Sequence, residues 1–124
     1  MDLITLEYNE LQKGELEKKS LQFSKNLLKE PYKLESLFVI KVDGESMQPL
    51  INDKALVVAD LSQLDIINND IYLVYKDNMM WIKQAKKQKD SIQFVSINKD
   101  FSHLVYKRKD VRVVAKAVLT FTTL

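Results

Sequence analysis

From residue 36 onward the chain alternates short apolar runs with short polar breaks. The runs "SLFVIKV" (36–42), "KALVVAD" (54–60), "DIYLVYK" (70–76), "MMWIKQA" (79–85), "SIQFVSI" (91–97) and "DVRVVAKAVLTFTT" (110–123) are rich in β-branched and aromatic residues. Polar stretches such as "INND", "KDN" and "KQKD" separate them, which is the pattern of strands joined by turns. Asp77-Asn78, between two such runs, reads as a tight hairpin. No helical periodicity intervenes, so the pattern predicts a mostly β fold of curled antiparallel sheets, a barrel or a sandwich. The N-terminal part differs. Residues 1–20 are mostly polar and charged, with Gly14 as a break, and read as an arm or irregular segment. In "LQFSKNLLKEP", Leu21, Phe23, Leu27 and Leu28 fit one face of a short helix, with Ser24 as its cap and Pro31 at its end.

Composition narrows the class. With 124 residues and 46% hydrophobic content the chain has material for one domain with a true core. Nineteen basic against 17 acidic side chains leave a net charge of +2, which gives no general argument for wrapping nucleic acid. Basic clusters at Lys86, Lys87, Lys89 and at Lys107, Arg108, Lys109, Arg112 read first as solvated turns; contact with phosphates is the alternative. The absence of cysteine excludes thiol catalysis, disulfides and thiolate metal sites. A single histidine, His103, excludes a histidine-rich metal site, and no cofactor is expected. No run reaches the ~18–20 apolar residues of a membrane span, and the acidic start (Asp2, Glu7, Glu10) is unlike a signal peptide. The expectation is a cytoplasmic protein without a membrane partner.

One stretch invites a chemical reading. "VDGESMQP" places Gly44 and Pro49 on either side of Ser46, in a chain with only two glycines and two prolines. A strand-to-turn junction explains this cheaply; a backbone shaped to present a serine is the alternative. Serine attacks a carbonyl only when a base takes its proton and donors stabilise the oxyanion. His103 lies in a polar connection, "NKDFSHLVYK", where an exposed loop residue is the plain reading. Lys83 is the more interesting base. With period-2 alternation Trp81, Lys83 and Ala85 share a face, so the amine has apolar neighbours. An ordinary lysine, of pKa about 10.4, is only ~0.1% neutral near pH 7.4, and desolvation lowers that pKa by roughly 3–5 units at most. A lysine snorkelling off a strand edge remains the competing reading.

Taken together, these segments resemble the C-terminal domain of LexA and the phage repressors, a Ser-Lys self-cleaving peptidase family that includes UmuD-type proteins and is related to signal peptidases. "VDGESMQP" is similar to the nucleophile motif, "NDKALVVAD" to the segment after it, and "DIYLVYKDNMMWIKQAKK" to the hairpin that carries the lysine. Lys83 follows Ser46 by 37 residues, the separation expected of the pair. "SINKDF" resembles the Ser-x-Asn element, and "VRVVAKAVLTF" the closing strand. The likeness covers roughly residues 20–122 and implies a LexA/signal-peptidase-like complex β fold with one short N-terminal helix. It implies Ser46 as nucleophile, Lys83 as its base, and the backbone amides of Glu45 and Ser46 as oxyanion hole. Gly44, Met47 and Pro49 would support the nucleophile turn.

The chain also departs from that pattern. Asn52-Asp53-Lys54 and Asn68-Asn69-Asp70 stand where the family usually has glycine-containing turns. Self-cleaving relatives cut an Ala-Gly or Cys-Gly bond, which this chain lacks; Lys13-Gly14, with Gly14 32 residues before Ser46, is the candidate bond. Residues 1–20 are accordingly read as an arm or cleavage-region remnant, and 21–124 as the peptidase and dimerisation domain. Residues 1–35 are too short for a helix-turn-helix domain, so DNA would be bound only through an N-terminal domain missing from this chain. The resemblance implies a homodimer built on the C-terminal strand, and a recombinase filament as inducer. Its rivals are a non-cleaving dimerisation module of the same fold, a trans-acting peptidase like signal peptidase, and a short UmuD-like protein of the SOS response.

Overall fold

The computed structural model describes residues 2–29 and 31–124. Among the described residues nine strands carry the fold, and the helical pieces are three-residue 3-10 turns only. β1 (Leu3–Gln12) and β2 (Glu15–Ser24) form an antiparallel hairpin of their own. The other strands are β3 (Leu37–Lys41), β4 (Leu56–Asp60), β5 (Ile71–Lys76), β6 (Met79–Gln88), β7 (Ser91–Val95), β8 (Tyr106–Lys107) and β9 (Arg112–Phe121). They make one antiparallel sheet in the order β3-β4-β9-β5-β6-β7-β8. The mostly β architecture is the one the apolar runs predict: five of the six runs contain their strand, β6 continues three residues past its run to Gln88, and β8 falls in no run.

The N-terminal expectations need correcting. The segment over 1–20 is not irregular: from Leu3 on it is two strands and their turn, Lys13-Gly14, with φ values of 49° and 80°. Positive φ at both positions gives the twist a two-residue hairpin needs. Ile4 and Leu6 of β1 and Phe23 of β2 are buried against Leu37, Val39 and Val58. Each such side chain contributes roughly 1.5–3 kcal/mol by leaving water, which is what holds the hairpin on the sheet. An ion pair from Glu10 to Lys41, at the end of β3, adds a polar tie. Among the described residues the expected helix over 21–31 is also absent. Leu21 and Phe23 belong to β2, and only Lys25–Leu27 turn helically, with the Ser24 hydroxyl accepting from the Asn26 amide. A run this short fits a period of 2 as well as one of 3.6; pairing with β1 selects the former.

β9 joins the two halves of the sheet. Its first half, Arg112–Lys116, pairs with β5, and its second, Lys116–Phe121, pairs with β4. Register shifts at Val58/Ala59 and Leu73/Val74 mark where the sheet curls. At the crossing, buried Asp60 lies opposite Lys116. Burial alone would raise the Asp60 carboxyl, yet hydrogen bonds from Ser62 and Gln63 and the charge of Lys116 hold it below the ordinary value. Lys116 also pairs with Asp70 at 2.9 Å.

Candidate active site

The serine turn begins where β3 ends. Val42 still pairs with the far arm of the loop, its amide donating to the Ala55 carbonyl at 2.8 Å while its own carbonyl accepts from Lys54 at 2.9 Å. Gly44 then takes φ 123°, a conformation side-chain-bearing residues rarely adopt, and its amide donates to Asp53 Oδ1 at 2.8 Å. This bend turns the chain so that Ser46 leads a short run of turns through Ile51. Met47 and Ile51 point inward, packed with Val42, Ala55 and Val57, while the Ile51 amide donates to the Met47 carbonyl. Pro49 follows within the same turns. In the loop opposite, Lys54 takes the left-handed conformation at φ 72°, and Asn69 does so at 73° in the other glycine-poor turn. Both turns therefore form without glycine, and in the first it is Lys54, rather than Asn52 or Asp53, that adopts the strained backbone.

β6 brings Lys83 to the serine. The alternation read from the sequence holds here: Lys83 and Ala85 are fully buried on one face, with Trp81 half-buried beside them. Lys83 Nζ donates to Ser46 Oγ at 3.2 Å and to Ser96 Oγ at 3.0 Å, and lies 5.6 Å from the centre of the Trp81 ring. Among the described residues no carboxylate forms an ion pair with it. Burial therefore acts without a compensating charge and pushes the amine down to about 8 from 10.5.

Two residues given no role from the sequence complete the arrangement. Ser96, just after β7, supplies the second hydroxyl on the amine. Asn98 clamps the turn from the same side: its amide donates to the Ser46 carbonyl, and its Nδ2 to the Glu45 carbonyl, both at 2.9 Å. With those carbonyls held, the Glu45 and Ser46 amides make no hydrogen bond among the described residues. The Ser-x-Asn pattern in "SINKDF" was the available signal.

The remaining candidates lie elsewhere. His103 is exposed in the connection before β8, and the Ser46 hydroxyl is bonded to Lys83 instead. Lys13 and Gly14 form the exposed tip of the β1–β2 hairpin. Chemically, a desolvated amine bonded to the hydroxyl of half-buried Ser46, with backbone donors beside it, suits proton abstraction from serine and acyl transfer.

Sequence comparison places the chain in a family. A family model described as Peptidase S24-like matches residues 3–118. The chain belongs to this peptidase S24-like family, that of the LexA and phage-repressor C-terminal domains. It is 34% identical over 83 residues to a LexA repressor of Thermosipho melanesiensis, covering 65% of this chain and 41% of the relative. It is 35% identical over 68 residues to an uncharacterized HTH-type transcriptional regulator of Haemophilus influenzae, covering 55% of this chain and 28% of that protein. The matched region thus spans less than half of either relative. One relative is named a repressor and the other a transcriptional regulator. Among the described residues no helix is long and apolar enough to cross a membrane.

Proposed function

We propose that this chain is the C-terminal regulatory, self-cleaving and dimerising domain of a LexA-like transcriptional regulator acting in the cytoplasm, with Ser46 as nucleophile and Lys83 as general base. The observation that carries the reading is the 3.2 Å hydrogen bond between a buried, uncompensated amine and the Ser46 hydroxyl. An amine held at about 8 is about one-tenth neutral at pH 7, against roughly 0.04% for an ordinary lysine. That neutral fraction is what takes the serine proton.

In the reaction, Ser46 Oγ attacks a peptide carbonyl carbon as its proton passes to Lys83 Nζ. The Glu45 and Ser46 amides donate to the resulting oxyanion. Collapse breaks the C–N bond, Lys83 returns the proton to the leaving amine, and water hydrolyses the acyl-serine. The substrate is a segment of the same polypeptide, so proximity replaces affinity. The candidate bond, Lys13–Gly14, sits on a hairpin anchored beside the end of β3, the strand that leads into the serine turn. Dimerisation is assigned to β9, whose Ala117–Phe121 segment, among the described residues, pairs with a strand on one edge only. DNA contact belongs to an N-terminal domain, with a recombinase filament as the inducing partner.

One observation favours a second reading, a non-cleaving dimerisation module. Lys13 and Gly14 both have positive φ in a tight turn, whereas a peptide entering a protease cleft must be extended, and the lysine is a poor occupant of a small apolar pocket. Intact-mass measurement at pH 7 and about 10 separates the readings. Self-cleavage that accelerates in alkali and disappears in Ser46→Ala is the expected result; an intact chain at both pH values overturns the peptidase reading.

A further inference from the structure

The two basic clusters, separate in sequence, meet in the fold. The end of β6 carries Lys87 and the turn after it Lys89, while β8 and the 3-10 turn after it carry Lys107, Arg108 and Lys109. Gln93 of β7 pairs with Lys107, and β7 pairs with β6 over Lys87–Ile92. The five cations line one open groove of about 730 Å3, with Asp90 as its one acidic lining residue. All five are exposed, and among the described residues none makes an ion pair with a carboxylate. The whole chain carries a net charge of only +2, so this edge of the sheet concentrates positive charge that the rest of the surface offsets.

We propose that this groove binds the phosphate backbone of duplex DNA, at a site distinct from Ser46 and Lys83. The chemistry of the lining selects the partner. Apart from its charges the groove offers glutamines, a serine and the half-buried Ile92. It has no aromatic platform on which unpaired bases would stack and no large apolar anchor of the kind that dominates protein interfaces. Flexible cations without base-reading geometry suit phosphates, which position a protein on a duplex without specifying sequence. The choice of DNA as the duplex rests on the regulator reading above; the phosphate chemistry does not. A second, sequence-neutral contact from this domain would add to that of a DNA-binding domain by raising effective concentration.

The test is fluorescence anisotropy of a labelled, random-sequence duplex of about 20 base pairs, titrated with the 124-residue chain between about 20 and 200 mM salt. Engagement of four or five phosphates predicts a slope of log K against log salt of about −4. Lys107→Gln with Lys109→Gln reduces its magnitude by about 2. The control pair Lys18→Gln with Lys33→Gln, removing equal charge outside the groove, leaves it unchanged. Three results overturn the proposal: no binding at the lowest salt, equal weakening by the control pair, or tighter binding of single-stranded DNA or polyglutamate than of the duplex. Alkaline self-cleavage of the unsubstituted chain, followed by mass, reports separately on the Ser46–Lys83 reading. Absence of cleavage with duplex binding intact counts against that reading alone, and loss of duplex binding with cleavage intact counts against the groove alone.

Discussion

A buried lysine without a counter-charge costs the fold stability, and replacing Lys83 by methionine measures how much. The amine is held at about 8 in the fold against 10.5 ordinarily; at 1.36 kcal/mol per unit, charging it there costs about 3 kcal/mol. Between these values the unfolded chain binds the proton and the folded chain does not, so stability rises with pH from about 8 to 10.5 and the penalty is complete below about 8. Methionine is similar in length and carries no charge, but it leaves the hydroxyls of Ser46 and Ser96 without their Nζ partner. Those two losses cost about 1 kcal/mol each. Lys83→Met is therefore expected to be about 1 kcal/mol more stable than the unsubstituted chain at pH 7. At about pH 10.5 the order reverses, by about 2 kcal/mol. Urea unfolding at several pH values across this window reads the difference directly. Parallel stability curves for the two proteins would mean that the amine titrates normally in the fold, and the argument for a neutral base at pH 7 would go with it.

Three further outcomes follow from the geometry of the site. Gly44→Ala meets no atom within 4 Å, so its cost, about 1–3 kcal/mol in urea midpoint shift, comes from φ 123° alone; a neutral substitution would refute that backbone account. Ser96→Ala is expected to slow self-cleavage about tenfold and to displace its pH profile, with stability changed by about 1 kcal/mol or less and Ser96→Thr restoring the rate. An unchanged rate and profile would remove Ser96 from any positioning role. Asn98→Ala loses the bond to the Glu45 carbonyl and the acceptor of the Asp100 amide, and should destabilise the chain by about 1–2 kcal/mol in thermal or urea unfolding; no loss would show that the turn holds its shape without this clamp.

The strands β3 to β7 and β9 were legible because each contains a short apolar run bounded by turn residues, and the Asp77-Asn78 hairpin forms with positive φ at both positions; β8, two residues inside the polar connection, was not. The first hairpin was harder to read. Ile4, Leu6 and Tyr8 do alternate, but toward the hairpin tip the same face carries Glu10, Glu15, Glu17 and Lys19, while Leu3, Leu11 and Leu16 lie on the other, which blurs the signal. Only contact with Leu37, Val39 and Val58 gives that alternation a buried side. Lys54 at φ 72° could not have been foreseen either, since no local preference places lysine there and the surrounding loop imposes it.

The sequence alone determined the alternation that puts Lys83 on an inward face, the glycine that lets the chain bend before Ser46, and a spacing of 37 residues between the two. Those are local properties, set by side-chain period and backbone freedom. Distances between strands far apart in sequence are another matter. The placing of Ser96 and Asn98 beside the serine turn and the merging of two basic clusters into one groove depend on how the sheet curls and which strands become neighbours, and burial without a counter-charge is likewise a property of the assembled fold. That is why the amine's lowered pKa, on which the proposed chemistry turns, belongs to the tertiary structure.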